Sequence, residues 1–193
     1  MKTKSVGPFL GGPFLVSRIR HEDERGSFEM AFEFDELRTQ VSNFPEIQQI
    51  NVLHGVKGSV RGFHYSEASE NHWKLITPVF GEVRDAFLDV RVNSEFFGVS
   101  GYIDLTPADL ISVVIPPGFA HGVQTLSRSS VTIYGTNIPF RDNNEKAFNP
   151  MKSGLDRIWK KPEILSARDE EAPIFPANTR IFEFPNYNQE AQF

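Results

Sequence analysis

The sequence predicts an all-β fold, an antiparallel β-barrel or sandwich carrying short peripheral helices, on three observations. Short strand-like runs recur at a spacing of about ten residues, Gly, Pro, Asn and Ser punctuate them, and 18 Phe with 13 Pro suit short packed strands better than a helical bundle. In chain order the runs 14–19, 47–53, 60–65, 74–79, 83–92, 98–105, 111–115, 122–126 and 131–136 read as strands. Reversals fall at Gly55-Val56-Lys57-Gly58, Phe80-Gly81-Glu82, residues 91–94 and Pro116-Pro117-Gly118. Along 83–91, alternation sets Asp85, Phe87 and Asp89 on one face and Ala86, Leu88 and Val90 on the other. Both faces are apolar, as in a strand between two packed layers, and Asp85 then points inward or sits wet near the strand end. Helix is confined to 33–41, with Asp35 as its cap, and a turn over 153–159, with Ser153 as its cap.

A length of 193 residues fits one domain. No linker, repeat or low-complexity tract divides the chain, and the aromatic stretch 171–193 is expected to pack on the barrel or on a neighbour. Hydrophobic residues at 39% and charged residues at 23% describe a globular chain rather than a disordered one. A net charge of −5 without a dense Lys/Arg block argues against nucleic acid as a partner. No 18-residue apolar run offers a membrane helix, and the start Met1-Lys2-Thr3-Lys4 meets Gly and Pro too soon for a signal peptide. The absence of cysteine excludes disulfides, thiolate metal sites and thiol nucleophiles, and fits a reducing cytoplasm.

Of the five histidines, His64 and His121 stand in constrained contexts. Pro116-Pro117-Gly118-Phe119-Ala120-His121 resembles the Pro-x-Gly-x-x-His turn of cupin barrels, and Gly62-Phe63-His64-Tyr65-Ser66 falls where the other cupin motif belongs. A metal-binding cupin pairs two histidines as His-x-His, whereas Ser66 occupies the second position, so no metal site is expected.

Longer strings carry a narrower resemblance: Asp23-Glu24-Arg25-Gly26-Ser27-Phe28, Val60-Arg61-Gly62-Phe63-His64-Tyr65, Lys74-Leu75-Ile76, Ile115 through Gly122, and Ile164-Leu165-Ser166-Ala167-Arg168-Asp169. In order and spacing, from about residue 14 to about residue 172, they resemble the dTDP-4-dehydrorhamnose 3,5-epimerase family. The resemblance implies a cupin-like jelly-roll barrel and a homodimer in deoxysugar biosynthesis. It would act without cofactors on a nucleoside-diphosphate 4-keto-6-deoxyhexose. In such a sugar the C4 ketone acidifies the hydrogens at C3 and C5. A base removes one to form an enolate, and an acid returns a proton from the opposite face.

The resemblance implies His64 as that base, since neutral imidazole is basic near neutral pH. Asp169 would fix its tautomer, Tyr134 would donate from the far side, and Lys74 would stabilise the enolate oxygen. Arg25 and Arg61 match positions that bind pyrophosphate and sugar. Phe28, Gln49, Asn51 and Phe140 match positions lining the nucleotide and sugar cleft. His121 and Asp85 match polar positions in the same barrel, where pairing would explain an inward Asp85.

Two departures bear on substrate. Met30 stands where the family carries a glutamate that contacts the base, with Glu29 one place earlier and hence on the opposite strand face. Beyond Tyr134, Ile138-Pro139-Phe140 replaces a tyrosine pair, so Phe140 keeps a stacking ring without its hydroxyl. The nucleotide, and action at C3 alone or at C3 and C5, stay open. A 3,4-ketoisomerase would pass through the same enolate, and a non-catalytic sugar-binding protein would share the barrel. Retention of Tyr134 and Asp169 favours the epimerase over the first, and the base pair over the second.

Overall fold

Strands distant in sequence interleave in two sheets, an arrangement that brings polar residues of five of them to one cavity. The computed structural model describes residues 1–7, 9, 11–66, 71–142, 144–161 and 163–183. The strands are β1 (Thr3–Ser5), β2 (Phe14–Ser17), β3 (Ile19–Asp23), β4 (Gly26–Met30), β5 (Gln49–Val56), β6 (Val60–Tyr65), β7 (Lys74–Phe80), β8 (Val83–Asp89), β9 (Val99–Leu105), β10 (Ile111–Ile115), β11 (Phe119–Thr125), β12 (Ser129–Thr136), β13 (Lys146–Ala147) and β14 (Arg180–Glu183), with helices α1 (Phe34–Gln40) and α2 (Ala167–Glu170). One sheet has the order β1-β2-β10-β7-β12-β5, the other β13-β6-β11-β8-β9-β14, and β3–β4 form a separate hairpin. This is the predicted all-β jelly roll, as two facing sheets. Strand pairing is antiparallel throughout the described residues except where β14 adds in parallel to β9.

Three apolar layers hold it together. Between the sheets, Leu15, Ile76, Val113 and Ile115 from the first meet Val83, Phe87, Ile103 and Val123 from the second. Phe9 packs edge-to-face on Phe87 at 5.5 Å and on Phe119 at 5.7 Å, each pair adding about 0.5–1.5 kcal/mol beyond its buried area. Outside the second sheet, Phe63, Ala86 and Leu88 are covered by Leu155, Ile158, Trp159 and Phe175. Outside the first, Phe14, Leu75 and Val114 are covered by Leu37 of α1, Phe44 and Trp73. Thus β8 is buried on both faces, as its composition predicts. The outward face of β5 is left open, with Ile50, Val52 and Val56 exposed.

The structure corrects several local expectations. The run 14–19 divides at Arg18, whose buried guanidinium holds Glu29 and the carbonyl of Pro107, and the chain then leaves the sheet as the β3–β4 hairpin. The cap of α1 is Glu33 rather than Asp35, because Glu33 is extended and its carboxylate accepts from the backbone N–H groups of Asp35 and Glu36. Ser153 does not cap the following turn, a 3₁₀ turn over Leu155–Ile158. Gly154 precedes it in a left-handed conformation, and the Ser153 hydroxyl donates instead to the carbonyl of Phe175. In the aromatic stretch from 171, Phe175 is buried and β14 joins the second sheet. Phe184 and Phe193, on which the packing expectation also drew, lie outside the described residues.

Gly62 is the backbone position that aims the site. Its φ is +113°, and a Cβ there would lie 2.4 Å from the carbonyl oxygen of His121 and 2.7 Å from the Cα of Gly122. Only glycine allows β6 to pass β11 this closely, beside an irregularity in their pairing, and the register that results sets His64 directly opposite His121.

Candidate active site

A cavity of about 460 Å³ is walled by β5, β6, β7, β11 and β12, with Glu145 and Arg168 at its side. Inward alternation on β5 delivers Gln49 and Asn51, on β7 Lys74 and Ile76, and on β12 Thr132, Tyr134 and Thr136. His64 and Arg61 come from β6 and His121 from β11.

His64 Nε2 lies 2.7 Å from Asp169 Oδ1 although 105 residues separate them in sequence. Asp169 reaches it because Ser166 caps α2, its side chain accepting from the backbone N–H of Asp169 and fixing the first turn against β6. Burial raises the Asp169 carboxyl, but hydrogen bonds and charge from His64, with Ser166 and the Gly62 backbone, outweigh it and hold the group below the usual carboxylate range. With Nε2–H donated to Asp169, Nδ1 keeps its lone pair on the opposite side of the ring, where Glu145 Oε2 stands 3.6 Å away. An imidazole arranged this way can accept a proton and have its new charge balanced by Asp169.

Lys74 is buried, and its Nζ donates to the carbonyl of His64 at 3.1 Å and to Glu145 Oε1 at 3.2 Å. Burial lowers its ammonium below the ordinary lysine value against the opposing charge of Glu145. Glu145 is itself raised by burial but lowered further by Lys74, His64 and Arg168, so it is ionised. Tyr134 projects from β12, and burial, then the charge of Glu145, push its hydroxyl well above the usual phenol value, so it is a protonated donor at neutral pH. Asp85 is fully buried and points inward, on the strand face it shares with Val83 and Phe87. Its Oδ2 pairs with His121 Nε2 at 2.8 Å, and its Oδ1 has no partner among the described residues.

Gln49 donates to Asn51 Oδ1 at 2.7 Å and accepts from the backbone N–H of Phe140 at 3.0 Å. Phe140 thereby stands at the mouth with its ring exposed, and Arg61 is exposed at the rim. Arg25 and Phe28, read from the sequence as substrate-binding, do not line the cavity of their own chain. They sit on the β3–β4 hairpin, which departs from the sheet after Arg18. There Arg25 pairs with Asp23 at 2.5 Å, and Phe28 is 68% exposed. Glu29 is committed to Arg18 and Arg20 at the foot of the hairpin.

Glu145 and Arg168 escaped the sequence reading. Arg168 lies inside a matched string in which only Asp169 was given a role, and Glu145 follows the altered stretch after Tyr134 with no motif to mark it. Among the described residues no three His, Asp or Glu side chains gather as a metal-holding group, and the acids nearest His64 are engaged by Lys74, Arg168 and the imidazole itself.

Behind Lys74 lies a further histidine. His72 is buried with Ser66 Oγ 2.6 Å from Nδ1 and Thr136 Oγ1 2.7 Å from Nε2. Burial, then the charge of Lys74, lower its pKa to about 4. The unfolded chain protonates this histidine near pH 6.5 and the folded chain does not until about pH 4, so the unfolded state binds more protons across that window and stability rises with pH through it. Acidification from pH 6.5 to 4 is expected to cost about 3 kcal/mol through this residue. Denaturant melts of the parent and His72→Gln check it: the variant should show the flatter pH dependence.

Two His–Asp pairs, a buried lysine and a partly buried tyrosine around one cavity define an acid–base site on a jelly-roll scaffold. A family model described as dTDP-4-dehydrorhamnose 3,5-epimerase matches residues 9–176, and the chain belongs to that family. It is 36% identical over 148 residues to a dTDP-4-dehydrorhamnose 3,5-epimerase of Shigella flexneri, covering 76% of this chain and 82% of the relative. It is 26% identical over 187 residues to a dTDP-4-dehydro-6-deoxyglucose 3-epimerase of a Streptomyces species, covering 95% of each. The crystal structure of a dTDP-4-dehydrorhamnose 3,5-epimerase from Elizabethkingia anophelis superposes with a TM-score of 0.79 at 28% identity, covering 91% of this chain and 96% of that one.

Proposed function

We propose that this epimerase acts on a thymidine-diphosphate 4-keto-6-deoxyhexose, inverting C3, C5 or both. The carrying observation is the His64–Asp169 pair in the same cavity as Tyr134 and the buried Lys74. His64 Nδ1 takes the proton from the carbon beside the ketone, and the C–H electron pair moves into an enolate ending at the C4 oxygen. Lys74 faces that oxygen. Its charge is poorly solvated before reaction, so the developing enolate interacts with it more strongly than the neutral ketone does, which lowers the barrier rather than only binding substrate. Tyr134 then returns a proton to the opposite face of the carbon. The chemistry draws on no cofactor, because the substrate's own ketone supplies the acidity. The relatives are epimerases of dTDP-sugars, which favours thymidine as the nucleoside.

The same reading makes the protein a cytoplasmic homodimer. Among the described residues no helix is long and apolar enough to cross a membrane, and exposed Ile50, Val52 and Val56 on β5, with Phe28 on the hairpin, offer apolar surface for a second copy. A hairpin that cannot serve its own cavity is suited to carry Arg25 and Phe28 to a partner's.

The test is incubation with dTDP-, CDP- and GDP-4-keto-6-deoxyhexoses in heavy water, with deuterium located by NMR. Deuterium at C3, or at C3 and C5, of inverted dTDP-sugar is expected. Migration of the carbonyl from C4 to C3 would mark a ketoisomerase, and binding without exchange a sugar-binding protein; either outcome overturns the reading.

A further inference from the structure

A strap beside β6 ties the two halves of the base pair together. In residues 145–149, Lys146 pairs with Tyr65 and Ala147 with His64. Phe148 and Phe63 then exchange backbone hydrogen bonds at 2.9 and 3.2 Å. Asn149, next in the chain, is buried and does not line the cavity. Its Nδ2 donates to the carbonyl of Glu170 at 2.6 Å, and its Oδ1 accepts from the backbone N–H of Met151 at 2.9 Å. Its own backbone N–H donates to the carbonyl of Pro173 at 2.9 Å. These contacts close a circuit. It runs from His64 to Phe63, across to Phe148, along to Asn149, across to Glu170, and through Asp169 back to His64 Nε2 at 2.7 Å.

The circuit matters because α2 cannot hold itself. Its four residues make one turn, too short to be stable alone, and the last carbonyls of a helix have no partner within it. Ser166 anchors the first end, and at the other the carbonyl of Glu170, one residue from Asp169, receives the Asn149 amide. A backbone N–H only donates and a carbonyl only accepts, so a single orientation of that amide serves both Met151 and Glu170. Arg168 adds a looser tie, since its Nη2 donates to the carbonyl of Glu145 at 3.0 Å while half its side chain stays exposed.

We propose that Asn149 is a positioning residue: by gripping the end of α2 from the strap that pairs with His64, it sets the reach of Asp169 to the imidazole and so the orientation of the base. The proposal rests on the reading of His64 and Asp169 as the base pair.

The experiment measures deuterium wash-in from heavy water into a saturating dTDP-4-keto-6-deoxyhexose, with affinity for dTDP read separately by calorimetry. In Asn149→Ala, wash-in should fall about tenfold, the scale of one hydrogen bond in a part-buried setting. Affinity for dTDP should stay within about twofold, because the residue acts on the base and not on the bound nucleotide. Asn149→Asp keeps the size and the acceptor for Met151 but offers no donor to Glu170, so it should reproduce the loss, and it serves if Asn149→Ala does not fold. Asp169→Ala should lower wash-in on the order of 10²-fold, and adding either Asn149 variant to it should change the rate by less than about twofold. Wash-in at the parent rate in the Asn149 variants overturns the proposal. So does a further tenfold fall in the Asp169→Ala background, which would mark a general loosening of the barrel. Parent-rate wash-in in Asp169→Ala alone would bring down the base-pair reading itself, and the proposal with it.

Discussion

His64→Ala is expected to abolish deuterium incorporation from heavy water into a 4-keto-6-deoxy nucleotide sugar, with turnover falling on the order of 10² to 10⁴. Alanine removes the group whose Nδ1 faces the cavity and leaves Asp169 with nothing to orient. His64 is only partly buried, at 21% side-chain exposure, so its loss leaves the jelly roll folded, and circular dichroism of the variant should match the parent. Incorporation at the parent rate would reassign the base, and His121, opposite His64 with its own carboxylate, is the group to examine next.

Tyr134→Phe is expected to act on the other half of the reaction. The phenyl ring keeps its packing against the central core, on the strand position paired with Ile76, so the fold is retained while the hydroxyl is lost. Abstraction by His64 continues and deuterium still washes in, but return from the far face fails, and inverted product should drop by on the order of 10² or more relative to exchange. NMR of the recovered sugar separates the two signals in one sample. Equal inversion in variant and parent would remove Tyr134 from the chemistry. Because the burial that raises this phenol keeps it protonated well past neutral pH, loss of the acid should not limit the alkaline side of the activity profile.

The jelly roll and most of the cavity were legible in the chain because each rests on a local pattern. Alternation on 83–91 foretold a doubly buried β8, the Gly/Pro reversals marked the turns, and the family resemblance named His64, Lys74, His121, Tyr134 and Asp169, which the fold brings around one cavity. The misses were of another kind. Glu145 and Arg168 matter through their distance to Lys74 and to each other, and no periodicity reports a distance. Arg25 and Phe28 were placed by the resemblance, and only the fold shows that their hairpin stands apart from the cavity of its own chain.

What the sequence determined alone was the sheet architecture, the set of chemical groups, and the absence of any thiol, since these follow from side-chain period and residue type. The tertiary structure decided which groups meet: that Asp169 reaches His64 across 105 residues, that Asp85 is inward and paired, that His72 lies behind Thr136, and that the hairpin stands apart. The reason is that partner choice in a jelly roll depends on strands far apart in sequence. Their register is set by the packing of two sheets and by close approaches such as Gly62 against β11, which no local segment encodes.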